Sequence, residues 1–94
     1  MEFEWDERKN KANVRKHGID FNEAKEIFKR KDTYTFFDLR DYQEDREISI
    51  GSLSNLVLIV VVHTTRADNI RIISARKATK KERKIYYAYI RGKT

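Results

Sequence analysis

The residues best suited to chemistry lie in a strand-like segment of the C-terminal half. Residues 69–76 (Asn-Ile-Arg-Ile-Ile-Ser-Ala-Arg) place the cation Arg71 in the middle of an apolar pattern. Period-two spacing puts Arg71 on the face of Asn69 and Ile73. An arginine in the middle of a strand needs an anionic partner, because an unpaired charge is costly to bury. Phosphate is a suitable partner, since the planar guanidinium binds two of its oxygens at once.

Two earlier segments supply further groups for this chemistry. Period two puts His63 on one face of the apolar segment 56–64, and it puts Glu47 and Ser49 opposite the isoleucines of segment 46–50. If the register of the sheet brings these faces together, they form one patch with the arginine. That patch contains Arg71, His63, Glu47 and Ser49, with Arg66 and Arg76 at opposite ends of the strand beside it. It suits metal-independent RNA cleavage, in which a base takes the 2′-OH proton and cations stabilise the phosphorane.

These candidates also have structural interpretations, which the sequence leaves open. His63 can be a core residue at a strand end, and Glu47 can pair with Arg46 or a neighbouring lysine. Lys16 and His17 close a predicted helix, where cations interact favourably with the helix dipole. The functional alternative is that Lys16 and His17 reach a phosphate beside the sheet.

Composition excludes several other kinds of site. Cysteine is absent, so disulfides, thiolate nucleophiles and cysteine-ligated zinc are impossible. The histidines, His17 and His63, lie in no ligand-spaced motif. The clustered acids lack the glycine and spacing of an EF-hand; they are Asp38, Asp41, Glu44, Asp45 and Glu47. We therefore expect no metal and no cofactor.

The positive charge is concentrated in one half of the chain. Residues 51–94 carry 10 Lys or Arg against 2 Asp or Glu, whereas residues 1–50 carry 11 against 13. Such an asymmetry favours a polyanionic partner, usually a nucleic acid, although a basic helix can also serve solubility alone. The cations expected to bind RNA outside the central site are Arg66, Lys77, Lys80, Lys81, Arg83 and Lys84.

The chain is expected to form a single domain over residues 1–94. It has 94 residues, no proline and three glycines, which favours regular elements joined by short turns. Its longest apolar run, residues 56–62, is far shorter than the roughly 20 residues of a membrane span. The acidic N-terminus lacks the apolar region of a signal peptide, so we expect a cytoplasmic protein without a membrane partner.

Local signals predict the elements that position these residues. In the first half we predict an edge strand over 3–5, a helix capped by Asp6 and ended by Gly18, and a helix over about 21–30. Strands follow over 33–37 and 46–50, separated by a charged turn at 39–45. The first helix has little apolar content, so Ala12 and Val14 are expected to form its narrow contact stripe.

In the second half we predict a turn over 51–55, a central strand over 56–64 and a strand over 69–76. A capping box at residues 79–82 then begins a helix that runs towards Arg91. Its inward residues are expected to be Ile85, Tyr86, Tyr89 and Ile90. The order β-α-α-β-β-β-β-α predicts an α+β fold, with an antiparallel sheet of about four to five strands, two N-terminal helices and one C-terminal helix.

Two long stretches, in the right order, resemble BrnT-type toxins. The first contains Phe3-Glu4-Trp5-Asp6, Lys9, Asn13, Arg15-Lys16-His17-Gly18, Phe21 and Ala24. The second contains Val62-His63-Thr64, the run Ile70-Arg71-Ile72-Ile73-Ser74-Ala75-Arg76-Lys77-Ala78, and Glu82-Arg83. The resemblance implies a RelE-like fold and a toxin of a type II toxin–antitoxin system that acts on RNA and slows translation.

The resemblance also implies partners and site residues. A BrnA-type antitoxin is expected to neutralise the toxin in a heterotetramer with two copies of each chain, which binds operator DNA only through the antitoxin. Carried over by position, the catalytic candidates are Lys16, His17, Arg71, Arg76 and Glu82, together with His63 in the strand motif. The alternative function is a non-catalytic nucleic-acid-binding module that uses the same basic half; a purely structural interaction domain is a third possibility.

Overall fold

The computed structural model describes residues 1–40 and 45–92, which form five strands and three α-helices. The strands are β1 (Glu2–Glu4), β2 (Tyr34–Asp38), β3 (Arg46–Ser52), β4 (Leu58–Arg66) and β5 (Asn69–Lys77). The helices are α1 (Glu7–His17), α2 (Phe21–Ala24) and α3 (Lys80–Gly92), and α2 continues into a 3-10 segment over Lys25–Lys29. The predicted α+β class and the order of elements are confirmed.

The strands form one sheet in the order β1-β5-β4-β3-β2. Strands β2 to β5 form an antiparallel meander, as predicted, but β1 runs parallel to β5. The sheet is therefore mixed rather than purely antiparallel. Strand direction at this edge is set by the whole intervening chain, and a three-residue strand carries no sign of it in its sequence.

The helix boundaries follow local capping signals. The Asp6 carboxylate accepts a hydrogen bond from the Arg8 amide at 2.8 Å, and Gly18 ends α1 with a left-handed φ of 73°. Asp20 caps α2 in the same way through the Asn22 amide. The single helix predicted over 21–30 is instead a short α-helix followed by the 3-10 segment.

The β3–β4 connection differs from the predicted turn at 51–55. Strand β3 continues through Gly51, which pairs with Ile59, and ends at Ser52. Glycine fits at position 51 because a Cβ there would lie 2.8 Å from the Ile27 Cβ and the Thr33 hydroxyl. Leu56 has φ 69° and belongs to the turn, so the next strand begins at Leu58. In the predicted turn at 39–45, residues 41–44, including Asp41 and Glu44, lie outside the described residues.

Each face of the sheet has its own core. The face covered by α1, α2 and the 3-10 segment, here called the α1 face, buries Ile59, Val61, Ile70, Ile72 and Ala75. The opposite face, here called the α3 face, buries Ile50, Leu58 and Val60 against Ala78 and Tyr86. Tyr34 stacks on Tyr89 at a ring-centroid distance of 4.2 Å, which fixes α3 over one end of its face.

The contact stripe of α3 is narrower than predicted. Tyr86 is buried, and Tyr89 and Ile90 are partly buried. Ile85, in contrast, is 41% exposed, so its predicted inward position is wrong. Residues spaced i, i+3 and i+4 from Tyr86 fill the contact with the sheet, and Ile85 lies at the margin of that stripe.

Candidate active site

A β-bulge decides which face of the sheet carries Arg71. In the pairing of β5 with β4, Arg76 lies opposite Val60 and Ser74 lies opposite Val62. The next residue of β4, His63, pairs with Ile72, so β5 contains one extra residue at this point. A regular register would have placed Arg71 opposite Thr65, on the face of His63. After the bulge, Arg71 lies opposite Thr64 instead. It therefore joins Arg76 on the α3 face.

The predicted patch of Arg71, His63, Glu47 and Ser49 is consequently divided. His63 pairs with Glu47 and lies on the α1 face with Ser49, as predicted. Arg71 projects from the other side of the sheet. The strand sequence 69–77 contains no glycine that would have indicated a bulge.

The bulge adds Arg71 to a cluster on the α3 face, here called the arginine face. It consists of Arg46, Thr64, Arg71, Ser74 and Arg76. All of these except Thr64 are partly exposed. Planar guanidinium groups on a partly exposed sheet are suited to binding the oxygens of a phosphate.

Arg76 and Arg71 differ in how their charges are satisfied. Arg76 makes a two-pronged ion pair with Glu82, with nitrogen–oxygen distances of 2.7 and 2.8 Å. The Arg71 side chain makes no hydrogen bond or ion pair with residues 1–40 or 45–92. Of these two arginines, Arg71 is the one whose charge is available to a ligand.

Glu82 is fixed in its anionic form. The hydrogen bonds from Arg76 lower the pKa of Glu82 to about 2, and the Thr79 amide adds a bond at 2.8 Å. The Thr79 hydroxyl accepts in return from the Glu82 amide, which confirms the predicted capping box. A carboxylate held in this way does not take up a proton near neutral pH, so its contribution to a site is to orient Arg76.

Arg40 and Arg46 extend the positive charge and were not among the predicted site residues. Asp38 accepts hydrogen bonds from Arg40 and lies opposite Arg46 in the register. Glu82 raises the pKa of Arg76, and the positive charge of Arg40 acts in the opposite direction. Arg40 therefore lies close enough to Arg76 to influence it. Arg46 shares the face of Ile48 and Ile50, and these apolar neighbours give no sign of a site there.

His63 is enclosed by other side chains on the α1 face. It is 2% exposed, its ring lies edge-on to Phe28 at 4.9 Å, and its Nε2 lies 2.7 Å from the Ser49 hydroxyl. The Ser49 hydroxyl lies 2.7 Å from that of Thr35, which completes a buried polar chain. Burial lowers the pKa of His63, although Glu47 acts in the opposite direction. The structure therefore separates His63 from the arginine face.

Lys16 and His17 lie beside the arginine face rather than on it. Together with Ile73 and Ser74 they line a shallow cleft of about 230 Å³ at the free edge of β5. Asn13 fixes this arrangement: its side-chain amide donates to the Ala75 carbonyl at 2.8 Å and accepts from the Ala75 amide at 3.2 Å. Because Ser74 also belongs to the arginine face, the cleft adjoins that face around the strand edge.

The packing of α1 through asparagines was not predicted. Asn10 and Asn13 are the buried residues of α1, whereas Ala12 is exposed and Val14 is 40% exposed. The expected stripe of Ala12 and Val14 is therefore wrong. The available signal was the i, i+3 spacing of two asparagines within a helix, a residue type that disfavours helix interiors unless it forms specific hydrogen bonds.

The remaining predicted RNA-binding cations are all exposed, but they do not form one surface. They are Arg66, Lys77, Lys80, Lys81, Arg83 and Lys84. Arg66 lies at the end of β4 opposite Asn69, whereas Lys77 pairs with Ile59 and faces the α1 side. Arg83 donates to the Ala78 carbonyl at 3.1 Å. The three lysines lie on α3.

Within residues 1–40 and 45–92, no three histidine or acidic side chains come together as a metal-binding group. In the same part of the chain, no helix combines the length and apolar character needed to cross a membrane.

Comparison with known proteins identifies the kind of protein that carries this site. A crystal structure of the Brucella abortus ribonuclease toxin BrnT matches with a TM-score of 0.67 and 30% sequence identity, covering 85% of this chain and 99% of that chain. No curated protein matches the sequence. Fold and site thus define a toxin of a type II toxin–antitoxin system. The chain belongs to the BrnT family of ribonuclease toxins, whose family model matches residues 5–82. Family membership implies an RNA substrate and an antitoxin partner.

Proposed function

We propose that residues 1–94 act as one domain, a metal-independent endoribonuclease that cleaves RNA in the cytoplasm and so inhibits translation. The observation that carries this proposal is Arg71, whose side chain has no partner among residues 1–40 and 45–92, on an arginine-rich, partly exposed sheet face in a member of a ribonuclease toxin family. A cation without an internal partner is matched by the phosphate of a nucleic acid.

The proposed reaction is an internal displacement at phosphorus. The RNA 2′-oxygen loses its proton to a base and bonds to phosphorus, while the bond from phosphorus to the 5′-oxygen breaks and that oxygen takes up a proton. The products are a 2′,3′-cyclic phosphate, which can open to a 3′-phosphate, and a 5′-hydroxyl end. Arg71 and Arg76 contact the phosphate oxygens and stabilise the charge that grows on them.

The other candidates take supporting positions in this scheme. Lys16 and His17, in the cleft beside Ser74, bind the adjoining RNA or move a proton. Glu82 orients Arg76 through its two-pronged ion pair. We assign no contact with RNA to His63, because its ring is enclosed on the α1 face.

The direct test is cleavage of RNA by the purified chain in the presence of EDTA, with analysis of the new ends. We expect cleavage with cyclic phosphate or 3′-phosphate ends, and a loss of about 10²–10³-fold in rate for Arg71→Ala. The matched control is Lys77→Ala, which removes an exposed cation of the same strand from the opposite face. A requirement for added Mg²⁺ would contradict the metal-free mechanism. Equal losses of cleavage rate in both variants would mean that Arg71 contributes only to the net positive charge of the protein.

The same variants separate an enzyme from a simple binding module. An Arg71→Ala protein that still binds RNA but no longer arrests growth supports the enzyme. A wild-type protein that binds RNA tightly and leaves it intact, on ribosomes as well as in free RNA, establishes the non-catalytic module instead.

The proposed protein partner is a BrnA-type antitoxin in a complex with two copies of each chain. An acidic, amphipathic antitoxin segment is expected to cover the basic half of the chain, because opposite charges speed association and buried apolar anchors slow release. Co-purification followed by light scattering measures the stoichiometry. An interface confined to residues 1–50 would contradict the electrostatic part of this proposal.

A further inference from the structure

Thr64 has a buried hydroxyl on the arginine face that lacks a hydrogen-bond partner in the described residues. The residue as a whole is 3% exposed. A buried hydroxyl without a partner destabilises the folded protein, which is why nearly all such groups in proteins are paired. This hydroxyl therefore calls for a specific explanation.

The surroundings of Thr64 indicate what would satisfy it. Its cross-strand partner on β5 is Arg71. On the other side of β4, Glu47 of β3 lies opposite His63. Continuing this antiparallel register by one residue puts Arg46 beside Thr64. The hydroxyl thus lies between two positions occupied by arginine, on the same face of the sheet. A group that enters between two guanidinium groups is an anion, and the hydroxyl can donate to it.

We infer that Thr64 donates a hydrogen bond to the RNA phosphate that Arg71 and Arg46 bind. This inference rests on the proposed ribonuclease function and adds a neutral donor to its phosphate site. Both arginines are partly exposed and have long, flexible side chains, so they can turn towards a phosphate that lies over the hydroxyl. Residues 1–40 and 45–92 of the free protein offer the hydroxyl no acceptor, and the substrate phosphate supplies one.

This arrangement predicts opposite effects on stability and on binding. Thr64→Val keeps the size and branching of the side chain and removes the hydroxyl. The free protein should then be as stable as the wild type or more stable, because an unsatisfied polar group disappears. RNA binding should weaken about 10- to 100-fold, the range that corresponds to one hydrogen bond to a charged group. A hydroxyl with a structural role would instead lower the melting temperature when removed.

The probe for binding is an oligonucleotide with 2′-O-methyl groups, which cannot undergo the cleavage reaction. Its Kd for the full-length chain is measured by fluorescence anisotropy at several salt concentrations, alongside thermal unfolding. Thr64→Ser retains the hydroxyl and should bind within about two-fold of the wild type. Thr65→Val is the matched control, because Thr65 is exposed on the α1 face, where it donates to Glu47.

The salt dependence of RNA binding distinguishes the contribution of the Thr64 hydroxyl from that of the charged side chains. Arg71→Ala should reduce the slope of log K against log salt by about 0.7, the value for one phosphate contact on a single strand. Thr64→Val should weaken binding without changing that slope, because it removes no charge.

Three results would overturn the inference. They are a Kd for Thr64→Val within about two-fold of the wild type, a melting temperature clearly below that of the wild type, or failure of this variant to fold. Each would leave the ribonuclease proposal in place if wild-type protein still cleaves RNA. The proposed function fails separately if wild-type protein neither binds the probe nor cleaves unmodified RNA.

Discussion

Replacing Glu82 by glutamine tests how far the arginine face depends on the ion pair between Arg76 and Glu82. The amide keeps the size of the side chain and an oxygen for the Thr79 amide, but it cannot satisfy both guanidinium nitrogens of Arg76. Lowering the pKa of Glu82 from 4.5 to about 2 corresponds to at most about 3 kcal/mol. The Arg76 and Glu82 side chains are 39% and 22% exposed, so solvent screening reduces this to about 1–2 kcal/mol.

The pH dependence follows from the sign of that shift. Because the folded-state pKa of Glu82 is depressed, its contribution is present above the unfolded value of 4.5 and is lost as the pH falls towards about 2. Glu82→Gln should therefore be less stable than the wild type by about 1–2 kcal/mol near neutral pH. For a domain of this size that corresponds to a melting temperature lower by roughly 4–16 °C. The two proteins should converge in acid.

Thermal unfolding of the wild type, Glu82→Gln, Arg76→Gln and the double variant across this pH range provides the measurement. In the resulting cycle, the coupling between the two positions should account for most of the loss in Glu82→Gln. Equal melting temperatures near neutral pH, or a difference that persists unchanged below the pKa of Glu82, would refute the reasoning.

Two further predictions concern the elements that support the site. Asn13→Ala removes three buried hydrogen bonds to the backbones of Ile19 and Ala75, and it should lower the free energy of unfolding by about 2–3 kcal/mol. Denaturant unfolding measures this, with the exposed Lys11→Ala as control; a loss no larger than the control would contradict the role of Asn13. Because burial lowers the pKa of His63 below its ordinary 6.5, the wild type should lose stability as the pH falls below that value. This decline should be smaller in His63→Gln, and equal pH profiles would show that His63 does not cause it.

The boundaries of most elements were determined locally, and local signals in the sequence were enough to predict them. The Asp6 carboxylate and Gly18 define α1 through hydrogen bonds and a backbone conformation that involve only neighbouring residues. The capping box between Thr79 and Glu82 begins α3 for the same reason. Short, hairpin-length connections between successive strands predicted the antiparallel meander, because parallel neighbours would need much longer connections. The resemblance to BrnT toxins rested on residues in these same elements.

The arrangement of the site depended on contacts between distant parts of the chain. Asn13 binds the edge of β5 at Ala75, and Ile27 lies so close to Gly51 that no side chain fits there. Above all, one extra residue in β5 moves Arg71 from the face of His63 to that of Arg76. Period two in the sequence cannot reveal such a bulge, since it counts residues along one strand. Only pairing with the neighbouring strand decides which residues share a face, and here that pairing assembles the arginine face.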